Sequence, residues 1–170
     1  MMISIPLIQA IRAQYRLPWT GVHGAIHWAR VMETGWRLAE LTGARPHVVE
    51  LFAVFHDARR LNEHSDHDHG RRGAELAVQL RGSSFELSDG DFALLHEACS
   101  LHTDGLTDGD TTVQTCWDAD RLDLGRVGIT PEPRYLCTAA AKSQEMIRWA
   151  DARACDDFVP VFARETWVSI

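Results

Sequence analysis

The segment PHVVELFAVFHD, residues 46–57, combines a nearly continuous apolar run with a polar ending, and it decides the expected fold. Pro46 suits the first turn of a helix, where its missing N–H leaves no bond unmade. The residues that follow are apolar on almost every side of that helix, which is typical of a buried element at the centre of a domain. The sequence therefore predicts a central helix that starts at Pro46 and runs to the end of this segment.

His56 and Asp57 close this helix with two polar groups in an apolar setting. Burying an imidazole and a carboxylate is costly unless something compensates for the lost water. A buried capping interaction is one explanation, and a bound metal ion is another. The metal ion accounts for both groups at once, because imidazole nitrogen and carboxylate oxygen are common metal ligands.

Outward from this helix, apolar residues recur at helical spacing along almost the whole chain. Besides the central helix, the predicted helices cover residues 5–17, 21–41, 71–80, 88–102, 113–124 and 139–153. No run of alternating β-branched residues is long enough to suggest a sheet. We therefore predict an all-α fold in a single domain over residues 1–170, a compact bundle of about six to eight helices.

Composition narrows the class of protein. With 24 acidic and 17 basic residues the net charge is -7, which argues against coating of nucleic acid. No stretch approaches the roughly 20 apolar residues of a membrane span, and the N-terminal run lacks the pattern of a signal peptide. The four cysteines include no C-x-x-C pair and predict free thiols in a reducing cytoplasm. We expect a cytoplasmic protein with no membrane partner, and a homo-oligomer stays open.

Two further groups of polar residues are candidates to meet the end of the central helix. His23 and His27 lie four apart and share one face of a predicted helix, although histidines at this spacing are more often surface residues than ligands. The segment WDADRLD, residues 117–123, places three acids in an otherwise apolar helix. One of these acids could form a plain salt bridge with Arg121 or Arg126, but salt bridges are a less satisfactory explanation for all three acids.

His27–Val31, Phe55–Asp57 and Ala119–Leu122 resemble, in this order and at similar intervals, the three signatures of the HD superfamily of metal-dependent phosphohydrolases. The resemblance spans roughly residues 20 to 130. It implies a helical bundle built around a divalent metal ion. The implied ligands are His27, His56, Asp57 and Asp120. Two imidazoles and two carboxylates suit manganese, iron, cobalt, nickel, zinc or magnesium.

Histidines beyond these ligands are candidates for the same site. In some relatives of the superfamily, histidines after the doublet hold a second metal ion or contact phosphate. The resemblance thus makes His69 and His102 candidate catalytic residues beside Asp57, which would touch both the ion and its water. His64 and His67 are interpreted as part of a solvated polar loop, and the same explanation stays open for His69.

The chain departs from some branches of the superfamily. In its nucleotidases and alarmone hydrolases, an acid three residues after the doublet's aspartate helps to activate water. Arg60 stands at that position here, preceded by Arg59. Guanidinium matches phosphate well, so Arg59, Arg60 and Arg126 are candidate substrate-binding residues. The other explanation for Arg59 and Arg60 is a solvated helix end whose charge faces the helix dipole.

Together these features favour a hydrolase that cleaves a phosphate ester or anhydride through metal-activated water. The expected partner is a small phosphorylated metabolite or nucleotide. Two rivals stay open. A catalytically degenerate member of the superfamily would keep the metal and act as a binding or regulatory module, and a di-iron oxygenase would use the same scaffold for redox chemistry.

Overall fold

Eight α-helices make up most of residues 2–169, the part of the chain that the computed structural model describes. The helices are α1 (Ile5–Arg12), α2 (Ala25–Thr42), α3 (Pro46–Phe55), α4 (His69–Leu80), α5 (Asp89–Leu101), α6 (Thr111–Arg121), α7 (Gln144–Cys155) and α8 (Val161–Arg164). Two short 3-10 helices, Leu124–Val127 and Pro133–Tyr135, lie between α6 and α7. Among the described residues, extended pairing is limited to one isolated bridge between Arg81 and Phe85. The predicted all-α helical bundle is confirmed.

Helix α3 lies at the centre of the bundle, as its composition predicts. It packs against α2, α4, α5 and α6, and its apolar side chains are fully buried. Gly73 on α4 makes one of these contacts possible, because a Cβ there would lie 2.2 Å from the Phe55 carbonyl oxygen. The close approach of α4 holds the end of α3, with His56 and Asp57, inside the protein.

Side-chain caps determine several helix starts that periodicity alone misplaces. Ser143 Oγ accepts from Met146 N–H at 3.2 Å, so α7 begins at Gln144 rather than at residue 139. Asp110 Oδ1 accepts from Thr112 N–H at 2.7 Å, so α6 begins two residues before the predicted 113. A cap satisfies one of the free N–H groups of the first turn, which apolar spacing does not reveal.

Other boundaries differ because the chain turns where its pattern still looks helical. Helix α1 ends at Arg12 rather than near residue 17, and α2 begins at Ala25, whose N–H donates to Trp19 O at 2.7 Å and closes a loop. Helix α6 ends at Arg121, three residues before the predicted end, and α4 begins at residue 69 rather than 71. Helix α8 is not predicted, since four residues carry too little periodicity.

Asp118 ties the segment after the second 3-10 helix to α6. Its buried carboxylate accepts from Cys137 N–H at 2.6 Å, from Thr138 N–H at 2.8 Å and from the Thr138 hydroxyl at 2.8 Å. All four cysteines are free thiols, as predicted. None of the helices in residues 2–169 has the length and apolarity needed to cross a membrane.

Candidate metal centre

Five helices bring histidines and acids to one place near their ends. His27 lies in the first turn of α2, His69 starts α4, and His102 follows α5. His56 and Asp57 follow α3, and Asp120 lies in the last turn of α6. The four histidines and Asp57 are almost fully buried, whereas the Asp120 side chain keeps 17% of its surface exposed. Asp120 therefore marks the side on which the cluster meets solvent.

The first group contains the four residues that the sequence singles out as ligands. His27 Nε2 and His56 Nε2 lie 3.0 Å apart. Asp57 Oδ2 lies 3.7 Å from the former nitrogen and 3.8 Å from the latter. Asp120 Oδ1 completes the group at 3.3 Å from His27 Nε2 and 3.7 Å from His56 Nε2. His27, His56 and Asp57 thus form one group that could hold a metal ion, and Asp120 lies beside both of its imidazole nitrogens.

The second group uses the other oxygen of Asp57. His69 Nε2 lies 2.9 Å from Asp57 Oδ1, and His102 Nε2 lies 3.8 Å from it. The two ring nitrogens are 2.9 Å apart. Gly70 permits this pairing, because a Cβ there would lie 2.3 Å from the Cys99 carbonyl oxygen and 2.8 Å from His102 Nδ1. Asp57 thus stands between two histidine pairs.

The outer nitrogen of each imidazole is already hydrogen-bonded. Nδ1 of His56, His69 and His102 faces backbone carbonyl oxygens, which only accept, so each Nδ1 carries the proton. Nδ1 of His27 bonds to Asp123 Oδ2 at 2.7 Å. The Nε2 atoms of neutral rings in this tautomer hold lone pairs that point at one another.

This arrangement fits a metal ion. Two lone pairs 3 Å apart repel unless a cation lies between them, either a shared proton or a metal. Two nitrogens at right angles around an ion, each at about 2.1 Å, are about 3.0 Å apart. Both Nε2 pairs have that spacing, and each faces a carboxylate oxygen. The groups His27–His56–Asp57 and Asp57–His69–His102 could each hold a metal ion.

Burial and charge act in opposite directions on this cluster. Burial raises the pKa of Asp57 and Asp120, but the neighbouring histidines and, for Asp120, Arg126 outweigh it and hold both pKa values below their ordinary range. Burial dominates for His56 and lowers its pKa to about 3. Burial also acts to lower the pKa of His102, but the nearby carboxylates of Asp57 and Asp120 raise it overall. Charged carboxylates and a neutral His56 are the forms that bind metal.

Asp123 and Arg30 position His27, and sequence reasoning did not identify this role. Arg30 binds the Asp123 carboxylate with two nitrogens, Nε to Oδ1 at 2.7 Å and Nη2 to Oδ2 at 3.1 Å. Both side chains are buried. A carboxylate on the outer nitrogen of a ligating histidine orients the ring and raises its basicity. The spacing in the sequence could have indicated it, because Arg30 lies three residues after His27 and Asp123 lies three after Asp120, which places each on the helix face of a candidate ligand.

A cavity of about 300 Å³ opens onto the cluster. Its lining includes four members of the cluster, Asp57, His69, His102 and Asp120, and three arginines, Arg60, Arg121 and Arg126. This volume is at the lower end of the range for small-molecule sites. The cavity therefore suits a compact ligand that reaches both the His/Asp groups and the arginines.

The three candidate arginines occupy different surroundings. Arg60 Nη1 lies 3.4 Å from Asp57 Oδ1, while its Nη2 donates to His64 O at 2.7 Å. Arg126 donates to backbone carbonyls through Nε and Nη1, and its Nη2 lies 3.9 Å from Asp120 Oδ1, beyond hydrogen-bonding distance. Arg59 is not brought to this cavity: its Nη1 donates to Gln14 Oε1 at 2.5 Å in a separate surface depression.

Other polar groups near the cavity have individual roles. His23 lines it, with Nδ1 2.5 Å from Glu63 Oε2, and so forms part of the pocket wall. The buried hydroxyl of Tyr15 has no hydrogen-bond partner among the described residues. Burial, followed by the charges of Asp57 and Glu63, raises the pKa of Tyr15. His64 and His67 lie exposed in the loop before α4, as predicted.

No family model, no curated protein and no solved structure matches this chain. The interpretation of the site therefore depends on its own residues. They form a buried double histidine–aspartate cluster that could hold metal ions, beside a small cavity lined by three arginines among other residues.

Proposed function

We propose that this chain is a metal-dependent hydrolase of phosphate esters or anhydrides in a small metabolite or nucleotide, as its resemblance to the HD superfamily implies. The observation that carries the proposal is the placement of two facing Nε2 pairs on the two oxygens of Asp57. Such a placement supplies ligands on both sides of one carboxylate, and a cavity with cationic walls adjoins it.

The ligands of the proposed metal centre follow from these contacts. His27, His56, Asp57 and Asp120 would hold one ion, and His69, His102 and Asp57 would hold a second. Bound divalent ions would polarise a phosphate oxygen and lower the pKa of a coordinated water. Manganese, iron, cobalt, nickel, zinc and magnesium are all candidates, because the ligand set mixes imidazole and carboxylate.

The cavity residues would bind and orient the phosphate. Nη2 of Arg126 points toward the Asp120 carboxylate without bonding to it, so it can donate to a phosphate oxygen. Arg60 donates through Nη1 to Asp57 Oδ1 at 3.4 Å and anchors the following loop through Nη2, so its guanidinium charge is held beside the second group, where a phosphate would bind. Arg60 replaces the acid that other branches of the superfamily use on water. Proton acceptance is therefore assigned to Asp57 or Asp120 rather than to residue 60.

A di-iron oxygenase would need a comparable pair of ion sites, so the cluster alone favours neither reaction. The arginines that line the cavity, among them Arg60 and Arg126, favour a substrate with an anionic group, which every phosphate ester or anhydride carries. The arginines also fit a binding module that recognises phosphate without cleaving it. Phosphate hydrolysis is the preferred function, since Asp120 keeps the metal ligands open to the cavity.

The deciding experiment combines metal analysis with a substrate panel. Purified protein is analysed for bound metals and then assayed for phosphate release from nucleotides, sugar phosphates and pyrophosphate with each candidate ion. We expect metal-dependent release that Asp57→Asn abolishes and that His47→Ala, a change at an exposed histidine of α3, leaves unchanged. Metal binding without phosphate release would favour the binding module, and metal-dependent oxygen consumption would favour the oxygenase.

A further inference from the structure

An apolar cleft adjoins the metal cavity. It has a volume of about 290 Å³ and is lined largely by Leu124, Ile129, Pro131, Tyr135 and Leu136. Arg121 and Leu124 line both the apolar cleft and the metal cavity, so the two spaces share a wall. A ligand whose phosphate lies at the His/Asp cluster can therefore extend its other end toward the apolar cleft.

Two large hydrophobic side chains of the apolar cleft are exposed to solvent. Ile129 keeps 54% of its surface exposed and Tyr135 keeps 57%, whereas Leu136 is buried and forms the floor. Arg134 lies over the Tyr135 ring, with its guanidinium carbon 4.7 Å from the ring centre, and restrains it. A cluster of exposed apolar groups beside a polar site is more often a binding surface than a surface without a function.

The charged groups around the apolar cleft already have partners. Arg121 donates to Tyr135 O at 2.9 Å and to Leu106 O at 2.7 Å. Glu132 pairs with Arg134 at 3.1 Å. These contacts satisfy the hydrogen-bonding groups of Arg121 and Glu132, although Arg121 keeps its positive charge because its partners are neutral carbonyls. Apolar side chains make up most of the remaining lining, so the complement of the apolar cleft is an uncharged group with a large apolar surface.

We infer that the apolar cleft binds the leaving group of the substrate, and that this leaving group carries an uncharged planar ring. The inference rests on the proposed function, because the phosphate end is taken to lie at the metal centre. A ring is favoured over a sugar, since a sugar would leave its hydroxyl groups facing apolar walls without hydrogen bonds. The favoured substrates are therefore phosphate esters or anhydrides of aryl or heterocyclic compounds rather than of small polar alcohols.

Two phosphonates that differ only in the apolar group test this inference without turnover. Phenylphosphonate and methylphosphonate cannot be hydrolysed at phosphorus–carbon, and their binding to the manganese-loaded protein is measured by calorimetry. Burial of a phenyl ring should make the first bind roughly 10- to 100-fold more tightly than the second. Equal affinities would overturn the inference and leave the proposed function standing. If neither phosphonate bound, both the inference and the proposed function would be overturned.

A matched pair of variants tests whether the phenyl ring binds in the apolar cleft. Ile129→Asp puts a charge into the apolar cleft, while Val78→Asp makes the same change on α4 at a side chain of equal exposure, 53%, away from the metal cavity. We expect Ile129→Asp to remove the preference for phenylphosphonate and to leave methylphosphonate affinity unchanged. Val78→Asp should retain the preference.

The same variants distinguish a second copy of this chain as the occupant of the apolar cleft. Sedimentation analysis of the wild type and of Ile129→Asp gives their oligomeric states, and melting curves establish that both are folded. An unchanged state together with lost selectivity supports the inference. A dimer that Ile129→Asp dissociates, with the phenylphosphonate preference intact, would overturn it and identify the apolar cleft as a protein interface.

Discussion

His27 Nε2 lies 3.0 Å from His56 Nε2, although the Nδ1 atom of each ring is already hydrogen-bonded on its far side. In neutral rings of this tautomer, no proton lies between the two inner nitrogens. The same relationship holds for His69 and His102. Four helices thus hold two facing pairs of imidazole nitrogens, and each pair is stabilised by a cation between its members, either a shared proton or a metal ion.

Metal content should follow the two groups separately. We expect two equivalents of metal in the wild type, about one in His69→Ala and in His102→Ala, and almost none in Asp57→Ala, because Asp57 faces both groups. The measurement is elemental analysis after dialysis against buffered metal. His47→Ala, at an exposed position, is the control. Two full equivalents in Asp57→Ala would show that these residues are not the ligands.

The Asp123–Arg30 pair should affect metal affinity without touching the ion. Asp123→Asn keeps the size of the side chain but loses the charge that orients His27 through Nδ1. We expect metal affinity to fall about 10- to 100-fold, as is typical when such a supporting hydrogen bond is weakened. Competition with a chromogenic chelator measures it. Glu145→Gln, which breaks an exposed ion pair with Arg37, should change nothing, and an equal loss there would point to a general effect of charge.

Substitution of an arginine should lower kcat/KM only where that arginine lines the cavity. Arg126→Ala removes a charge-assisted contact worth about 1.5–3 kcal/mol, so kcat/KM should fall about 10- to 150-fold with metal content unchanged. Arg126→Lys should show a smaller defect, because it keeps the charge but loses the planar geometry. Arg59→Ala is the matched control, since Arg59 bonds to Gln14 outside the cavity. Steady-state kinetics that rank Arg59 above Arg126 would contradict this assignment.

Acid should destabilise the metal-free protein through His56. Burial lowers the pKa of His56 to about 3, whereas a histidine in an unfolded chain has a pKa near 6.5. Between these values the unfolded state binds a proton that the folded state does not, so stability decreases as the pH falls through this window. In urea unfolding measured from pH 7 to 4, the free energy of unfolding should therefore decrease less steeply in His56→Gln than in the wild type. The difference in slope should be up to about 1.4 kcal/mol per pH unit. Equal slopes in both proteins would be inconsistent with a neutral buried His56.

Chelation should leave the helices in place. The core around α3 is fully buried and consists of apolar side chains other than the candidate metal ligands. Removal of the metal should therefore preserve the far-ultraviolet circular dichroism spectrum. Bound metal should still raise the melting temperature, because it binds only the folded state. Loss of the helical spectrum in the presence of a chelator would mean that the ion is required for folding.

The helices and the polar pair His56–Asp57 follow from local pattern. Helical spacing depends only on near neighbours along the chain, and a polar pair that ends the apolar helix α3 is visible without any tertiary information. The full set of His27, His56, Asp57 and Asp120 was implied by the resemblance to the HD superfamily, and the structure brings these four residues together. Helix ends were less accurate, because a single cap such as Ser143 shifts a boundary by several residues.

The remaining features depend on how the helices pack. The closest arginine partner of Asp123 is Arg30, 93 residues away, while Arg126, which was considered from the sequence, lies 3.9 Å from the same carboxylate. Neighbouring Arg59 and Arg60 look equivalent in sequence, yet only Arg60 reaches the cavity, because the chain leaves α3 in a turn that directs successive side chains apart. Spacing along the chain tells which side chains share a helix face, but only the packing of separate helices decides which of those faces meet.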